Sequence, residues 1–404
     1  MTQSTFSEMP FAAPDRIDKR AWAFLNLCAD QHIDARLVGG CVRDALLNQH
    51  NSVKSPDIDI DIAIAATPQE VIQFCDHNQI NYFPTGIDHG TLTLLYRGLP
   101  MEVTSLRCDV KSDGRHAEVA FGTSFIVDAT RRDFTINALY VDHKNILYDA
   151  FNGVQDLHNR CVRFIGDAHQ RIAEDYLRLW RYFRFWGRFG NGCVDLTVLP
   201  PLHKLAHGLT TLSIERIQHE LLSILAQPWP NPIIQSLCAY GLLEHTFKAP
   251  IKSGFCRRLI ILERTSNRSD ICPIRRLSAL LISADLVHCP LKLSRAQQQK
   301  LKALMTKNLK EIALTNPQWW IDANLLVRAK AANNTGVSIY VTRQYVRDFM
   351  PLPLFPITAK DLLCLGYTPG VQMGDTLRRL KSLWFDYEFQ LDKKVCLRHA
   401  AEWL

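Results

Sequence analysis

The run Asp57-Ile58-Asp59-Ile60-Asp61-Ile62 alternates acid and branched apolar residue over six positions. An extended strand sends successive side chains to opposite faces, so the isoleucines share one face and the three carboxylates the other. Isoleucine suits a strand turned toward a core, whereas aspartate disfavours strands and like charges on one face repel. A divalent cation offsets that repulsion, and Mg²⁺ takes a few carboxylates while completing its shell with phosphate oxygens and water. An exposed edge strand with solvated acids is the alternative. Glu102, ahead of Val103-Thr104 in a later strand-like segment, can add a third carboxylate from a neighbouring strand.

Three further stretches carry groups suited to a nucleotide. Leu37-Val38-Gly39-Gly40-Cys41-Val42-Arg43-Asp44 reads as strand, glycine pair and helix start. Glycine lets a backbone approach a ligand closely, and a helix N-terminus offers free N–H groups to phosphate. Arg43, one turn in, adds a charged contact. The pattern is neither GxxxxGK[ST] nor GxGxxG, which argues against a P-loop or dinucleotide enzyme. In Arg131-Arg132-Asp133-Phe134-Thr135-Ile136-Asn137, Arg132 can contact a triphosphate and Asp133 or Asn137 a ribose; a capped helix start with a local ion pair is the alternative. Residues 171–185 read as one helix in which Asp175 and Arg178 lie three apart on one side. An acceptor beside a donor there can pair with the hydrogen-bonding edge of a base. Arg181 and Arg184 continue at three-residue steps, and Tyr176, Trp180 and Phe183 fill an apolar side. Ordinary salt bridging on an amphipathic helix is the competing explanation.

The elements that must position these groups divide the chain. Residues 1–17 read as a loose tail and 19–32 as a helix; strand-like runs follow at 36–38, 58–64, 91–96, 101–104 and 138–142, mixed with helical segments and glycine turns. From about 165 onward, apolar residues recur at helical spacing in 171–188, 213–226, 232–243, 275–287, 294–314, 319–331, 338–349 and 374–386, with no strand pattern. Pro-rich breaks at 228–232 and 351–356 mark joints. The fold class expected is α+β, a mixed sheet with helices followed by an all-helical remainder.

Composition is that of an ordinary soluble globular chain: 404 residues, 47% hydrophobic and 22% charged. No run approaches the roughly 20 apolar residues a bilayer span needs, and the first residues lack a secretory signal. Twelve scattered cysteines read as reduced cytoplasmic thiols rather than disulfides or zinc ligands. The net charge is +7, and residues 251–310 hold 13 Lys or Arg against 3 Asp or Glu. Such a block suggests a polyanion-binding surface, or else a solvated basic helical face.

Taken in order, LVGGCVRD (37–44), DIDIA (59–63), GIDHGTLT (86–93), MEVTSLR (101–107), RRDFTINALY (131–140), FNGVQDL (151–157), VRFIGDA (162–168) and RIAEDYLRLWRYFRF (171–185) resemble the class II tRNA nucleotidyltransferase and bacterial poly(A) polymerase family, with a weaker stretch at 355–370. The resemblance is dense from about 35 to 190, thin between 230 and 350, and in detail most similar to alphaproteobacterial CCA-adding members. It implies a polymerase β-like catalytic head (1–160), a helical neck carrying the base-recognition helix (161–228), a tRNA-binding body (229–350) and a tail (351–404). It implies Asp59 and Asp61 as Mg²⁺ ligands in a two-metal site, with Glu102 as the third catalytic carboxylate, and Gly39, Gly40, Arg43, Arg132 and Asp133 at the nucleotide. Asp175 and Arg178 would hydrogen-bond the base of CTP or ATP, with Arg181 and Arg184 supporting that pocket. The implied partners are tRNA, at its acceptor end and elbow, and the two nucleotides, with no membrane and no obligate protein partner.

Three departures bear on this. The connection 48–57 is longer than usual and has Asn48 where Gly is common; Ile58 stands where a polar residue is frequent, leaving Asp57 and Asp59 as a fallback pair; Trp180 replaces a usual Leu. The chain ends soon after 396–404 without the long basic extension of many poly(A) polymerases, and 109–128 is long enough for the flexible loop that A addition needs in this family. Both favour full CCA addition over poly(A) synthesis or partial addition. The intact acid and arginine set argues against a catalytically dead RNA-binding protein, and the lack of a His-Asp dipeptide against a phosphohydrolase fusion.

Overall fold

Alternation in the acidic run decides how the first sheet is built. In the computed structural model, Ile60, Ile62 and Ile64 are buried while Asp61 between them stays partly open. The structure describes residues 5–47, 59–87, 90–112, 117–122, 124–191, 194, 196–265, 270–282, 284, 289–307, 309–331, 354–387 and 390–404. Asp57, Ile58 and the rest of the 48–57 connection fall outside them, as does the helix expected over 338–349. The described residues group into two units, Met1–Leu212 and Ser213–Leu404.

The strands of the first unit are β1 (Ser7–Pro10), β2 (Ala35–Val38), β3 (Ile60–Ile64), β4 (Asn81–Gly86), β5 (Thr91–Tyr96), β6 (Leu99–Ser105), β7 (Arg107–Ser112), β8 (Ala117–Phe121), β9 (Leu139–Val141) and β10 (Ile146–Asp149). Eight form one sheet in the order β1-β10-β9-β2-β3-β6-β5-β4, and β7 and β8 pair as a separate ribbon. Only β3 and β6 run parallel, with Asp61 opposite Glu102; all other neighbours are antiparallel. A parallel pair needs a crossover, supplied here by a helix over Pro68–His77 with β4 and β5.

Of the loose tail expected over 1–17, the described residues 5–17 are instead packed on the sheet: β1 pairs with β10, Phe6 packs edge-on against Tyr140 and Tyr148, and Phe11, Ala13 and Ile17 are buried. An unpaired edge strand is a ready template for such a segment. Of the stretch 109–128, expected to be long enough for a flexible loop, residues 109–112 and 117–121 belong to the β7–β8 ribbon and 125–128 to the following helix, while 113–116 and 123 lie outside the described residues.

The helices of this unit are α1 (Lys19–Asp30), α2 (Gly40–Leu47), α3 (Pro68–His77), α4 (Phe125–Arg131), α5 (Gly153–His158), α6 (Ala168–Glu174), α7 (Leu177–Phe189) and α8 (Leu202–Leu209). The expected single helix over 171–188 is therefore two, broken at Asp175, whose backbone is extended at φ −150° and ψ 106°. The Asp175 carboxylate accepts the Leu177 N–H at 3.1 Å and its carbonyl the Arg178 N–H at 2.9 Å. Asp competes for local backbone donors in this way, which starts a new helix rather than continuing the old one. Tyr176 fills the space above Gly208, where a Cβ would fall 1.8 Å from a ring carbon.

The FNGVQDL motif supports the arginine turn before it. Asp149 accepts the N–H groups of Phe151, Gly153 and Val154, and Asp156 accepts the Thr135 hydroxyl at 2.5 Å. Gly153 lies so near that turn that a Cβ would stand 2.3 Å from the Thr135 carbonyl oxygen. Backbone cannot yield as a flexible side chain does, so Gly153→Ala is expected to cost about 2 kcal/mol or more. Denaturant unfolding checks this; an unchanged midpoint would contradict the packing described.

The second unit is helical, and no strand beyond β10 occurs among the described residues. Its helices are α9 (Ile214–Leu225), α10 (Asn231–Tyr240), α11 (Leu242–Phe247), α12 (Gly254–Thr265), α13 (Pro273–Ile282), α14 (Arg295–Thr306), α15 (Leu309–Thr315) and α16 (Trp320–Ala331), then helices over Ala359–Cys364, Val371–Asp386 and Lys393–Glu402. The expected 232–243 helix is split by Gly241, left-handed at φ 84°, and the 294–314 helix by an extended Lys307. The basic block is not all surface. Arg275 and Arg276 of α13 are fully buried and both donate to Glu263 of α12, at 2.6 and 2.7 Å. Arg275 also pairs with Asp322 of α16, which Lys300 of α14 meets at 2.5 Å. Arg276 caps the end of α9 through the carbonyls of Leu225 and Gln227, both at 2.6 Å. Lys252, Arg257, Arg264, Lys292, Arg295 and Lys302 remain exposed.

Candidate active site

β2 ends at Val38, and Gly39 turns the chain at φ +69°, a conformation that glycine adopts without strain. α2 starts directly after it. A Cβ at Gly39 would lie 3.4 Å from a terminal nitrogen of Arg132, and one at Gly40 3.7 Å from both a carboxylate oxygen of Asp61 and a terminal nitrogen of Arg43. The glycine pair thus brings bare backbone against one acid and two arginines.

Asp61 faces this turn from β3, and Glu102 stands beside it in register on β6. Asp59, just before β3, is exposed. Burial, then the charge of Glu102, then that of Asp59 push the Asp61 carboxyl up to about 6, against the opposing pull of Arg132 and Arg43. Among the described residues no three His, Cys, Asp or Glu side chains cage a metal by themselves. Mg²⁺ does not require such a cage, since one or two carboxylates with phosphate oxygens and water suffice. An oxygen-only donor set whose negative charge is incompletely offset fits that ion.

Arg132 is held from behind. Its Nε donates to Asp128 at 3.0 Å and to the Tyr140 hydroxyl at 2.9 Å, and Tyr140 donates to Asp128 at 2.7 Å. Arg131 pairs with the other oxygen of the same carboxylate. Burial would raise the Asp128 carboxyl, but Arg132 and Arg131 outweigh it and keep it below the ordinary value. α4 is fixed to the sheet by a cluster of Val38, Ala63, Ala129, Ala138 and Tyr140. Asp128 and Tyr140 were not singled out in the sequence, because a buried hub is visible only once α4 packs on β9.

Arg43 is buried, donating to Asp44 at 2.9 Å and to Asn137, with its guanidinium 4.2 Å from the Phe189 ring centre. Asp133 is buried too and serves the protein itself. One oxygen accepts the Phe134 N–H at 2.8 Å and the Asn137 amide at 3.2 Å; the other pairs with Arg181, whose Nε donates at 2.7 Å. Burial opposes ionisation there, but Arg181 and those hydrogen bonds hold the carboxyl below its ordinary value. Arg184 lies over the Phe185 ring at 4.4 Å. Phe134 meets Phe164 and Phe185 at 4.9 and 5.2 Å, seating α7 on the arginine turn.

Asp175 and Arg178 do not share one helix face; Asp175 occupies the break and Arg178 the first turn of α7. Arg178 donates to Glu174 at 2.5 Å and to the Arg171 carbonyl at 2.9 Å. Arg171 and Glu174 lie in the same motif without a role legible from sequence: Arg171 meets carbonyls some 40 residues away, and Glu174 accepts from Arg171 and Arg178 across the helix break.

A strand pair bearing acids, a glycine turn and a buried arginine hub on a mixed sheet define a nucleotidyl-transfer head, and comparison with known proteins agrees. Residues 35–163 match the family described as "Poly A polymerase head domain", and residues 193–251 "Probable RNA and SrmB- binding site of polymerase A". The chain is 33% identical over 386 residues to the mitochondrial CCA tRNA nucleotidyltransferase 1 of Danio rerio, covering 91% of this chain and 87% of that one. It is 29% identical to a CCA-adding enzyme of Lacticaseibacillus paracasei, covering 86% and 87%. The solved Thermotoga maritima CCA-adding enzyme, complexed with tRNA, shares the fold at a TM-score of 0.64 and 19% identity, covering 98% of this chain and 99% of that one. The chain belongs to the CCA-adding tRNA nucleotidyltransferase family, and it is a nucleotidyltransferase. Among the described residues, no helix is long and apolar enough to cross a membrane.

Proposed function

We propose that this chain adds C, C and A to the 3′ end of tRNA from CTP and ATP, releasing pyrophosphate. The observation that supports it most is the Asp61 carboxylate facing the Gly39–Gly40 turn beside Glu102, with Arg132 opposite. Asp59 and Asp61 would hold Mg²⁺, with Glu102 as the adjoining third acid; the ions supply positive charge that acidifies the RNA 3′-hydroxyl and stabilises the departing pyrophosphate. The chain's own groups do the positioning. Backbone N–H groups at Gly39 and Gly40 receive phosphate at the start of α2. Arg132, with Arg43 beside it, offsets triphosphate charge. Asp133 acts here through Arg181, and Asp175 and Arg178 offer an acceptor and a donor to the base edge, with Arg184 beyond.

The sheet-bearing head (1–160), neck (161–228), body (229–350) and tail (351–404) are the working divisions in this reading. tRNA would meet exposed cations of the body, which recognise RNA by backbone charge and shape. We place the enzyme in the cytoplasm; ten of the cysteines, among them Cys28, Cys41, Cys75 and Cys256, are free thiols, which suits a reducing compartment.

Incubating the protein with tRNA ending at its discriminator base, plus CTP, ATP and Mg²⁺, and sequencing the 3′ ends tests this. Ends of CCA are expected. A run of A alone would indicate poly(A) synthesis, and ends of CC or a single A a partial enzyme; each overturns the assignment.

A further inference from the structure

α4 ends at Arg131, and its last carbonyls have no partner within the helix, as at any helix C-terminus. Arg171 of α6 meets them. Its Nη2 donates to the Arg131 carbonyl at 2.5 Å and to the Arg132 carbonyl at 2.6 Å. Its Nη1 donates to Glu174 at 2.6 Å, the same carboxylate oxygen that takes Arg178 at 2.5 Å. Arg178 in turn donates to the carbonyl of Arg171 and reaches the Arg131 carbonyl at 3.5 Å. Arg171 is mostly buried, with its side chain 12% exposed. A guanidinium at a helix C-terminus gains from the dipole as well as from its hydrogen bonds.

The geometry points to Arg171 as a positioning residue that couples recognition of the base to placement of the triphosphate. One side of its guanidinium fixes the backbone of Arg132, whose side chain lies against Gly39 and bears on Asp61. The other side shares Glu174 with Arg178. A base that engages Arg178 correctly therefore leaves the α4 end, and Arg132 with it, where transfer requires it. A wrong base that pulls Arg178 aside loosens Glu174, then Arg171, then the α4 terminus. The consequence is discrimination expressed in kcat rather than only in nucleotide binding. This inference rests on the placement of Arg132 and Arg178 at the nucleotide proposed above.

The test measures single-nucleotide addition of CTP, ATP and UTP by the full-length protein carrying Arg171→Met, Arg171→Lys or Arg178→Met, with circular dichroism to confirm folding. For Arg171→Met, kcat with CTP and ATP is expected to fall about 30-fold with KM within about threefold, while the preference over UTP drops about tenfold. Arg171→Lys, which keeps the charge and up to three donors, is expected to recover much of both. A uniform loss with all three nucleotides and unchanged preference would overturn the coupling, as would no loss. If Arg171→Met unfolds the protein, Arg171→Gln, which removes the charge but keeps an amide that can donate, carries the same comparison: a preference equal to that of wild type despite a lower rate defeats the proposal. Should Arg178→Met also leave the preference intact, the base-reading assignment itself fails; should Arg178→Met alone change it, only the coupling through Arg171 fails.

Discussion

Replacing Asp61 with Asn is expected to abolish nucleotide addition, by about 10³-fold or more, while making the metal-free protein more stable at neutral pH. The first effect follows from removing a carboxylate that the proposed Mg²⁺ site needs, a loss equivalent to roughly 4 kcal/mol of transition-state stabilisation. The second follows from the sign of the carboxyl's displacement. Burial and the charges of Glu102 and Asp59 raise it to about 6 from an ordinary 3.8. A carboxyl that binds its proton more tightly in the folded state costs stability once ionised, so the cost is absent below about pH 4, grows through pH 6 and is complete above it. Discounted for partial exposure, it amounts to about 1–2 kcal/mol. Urea unfolding of both proteins in chelator at pH 4 and pH 8 reads this directly. A variant less stable than wild type at pH 8 would show that the acids are not in mutual repulsion.

Replacing Glu263 with Gln has the opposite character, leaving the chemistry of the head alone and weakening the second unit. Glu263 receives both Arg275 and Arg276, which are fully buried. Burial disfavours the charge of Arg275, yet Glu263 and Asp322 more than compensate and hold its proton more tightly than usual. Taking one partner from a buried ionic cluster leaves charge without compensation, at about 3–5 kcal/mol. For a unit of this size, that lowers the thermal transition by roughly 6–20 °C. Hydrogen exchange should rise in α12 and α13 together, the two helices that the carboxylate joins. Calorimetry showing a shift of less than about 2 °C would mean that the cluster contributes little.

The two substitutions illustrate how residues of one charge class separate by environment. Asp61 and Glu263 are both acids facing two arginines, but Glu263 accepts from both at short range, whereas Asp61 has other acids for neighbours. The first arrangement is closed, and the second leaves negative charge available to a cation and its phosphate.

Much of the candidate site was legible in order along the chain. The Asp-Ile alternation determined which side chains of β3 share a face, because a strand's period is two whatever surrounds it. The glycine pair after a strand marked the turn, since the conformation of Gly39 suits glycine above other residues. The helical character of the described residues after about 165 followed from apolar spacing alone. Tertiary structure decided the rest. The pairing of Asp61 with Glu102 depends on a parallel register across a crossover of some 40 residues, which no local pattern encodes. The break at Asp175 was hidden because apolar periodicity ran through it, while capping by its carboxylate and the packing of Tyr176 on Gly208 ended the helix. Asp133, read with Asn137 as a candidate ribose contact, is paired with Arg181, and two arginines of a basic block are core. A sequence states which groups are charged and how they are spaced; which charges meet one another, and which are left to meet a ligand, is settled only when distant segments pack and water is excluded.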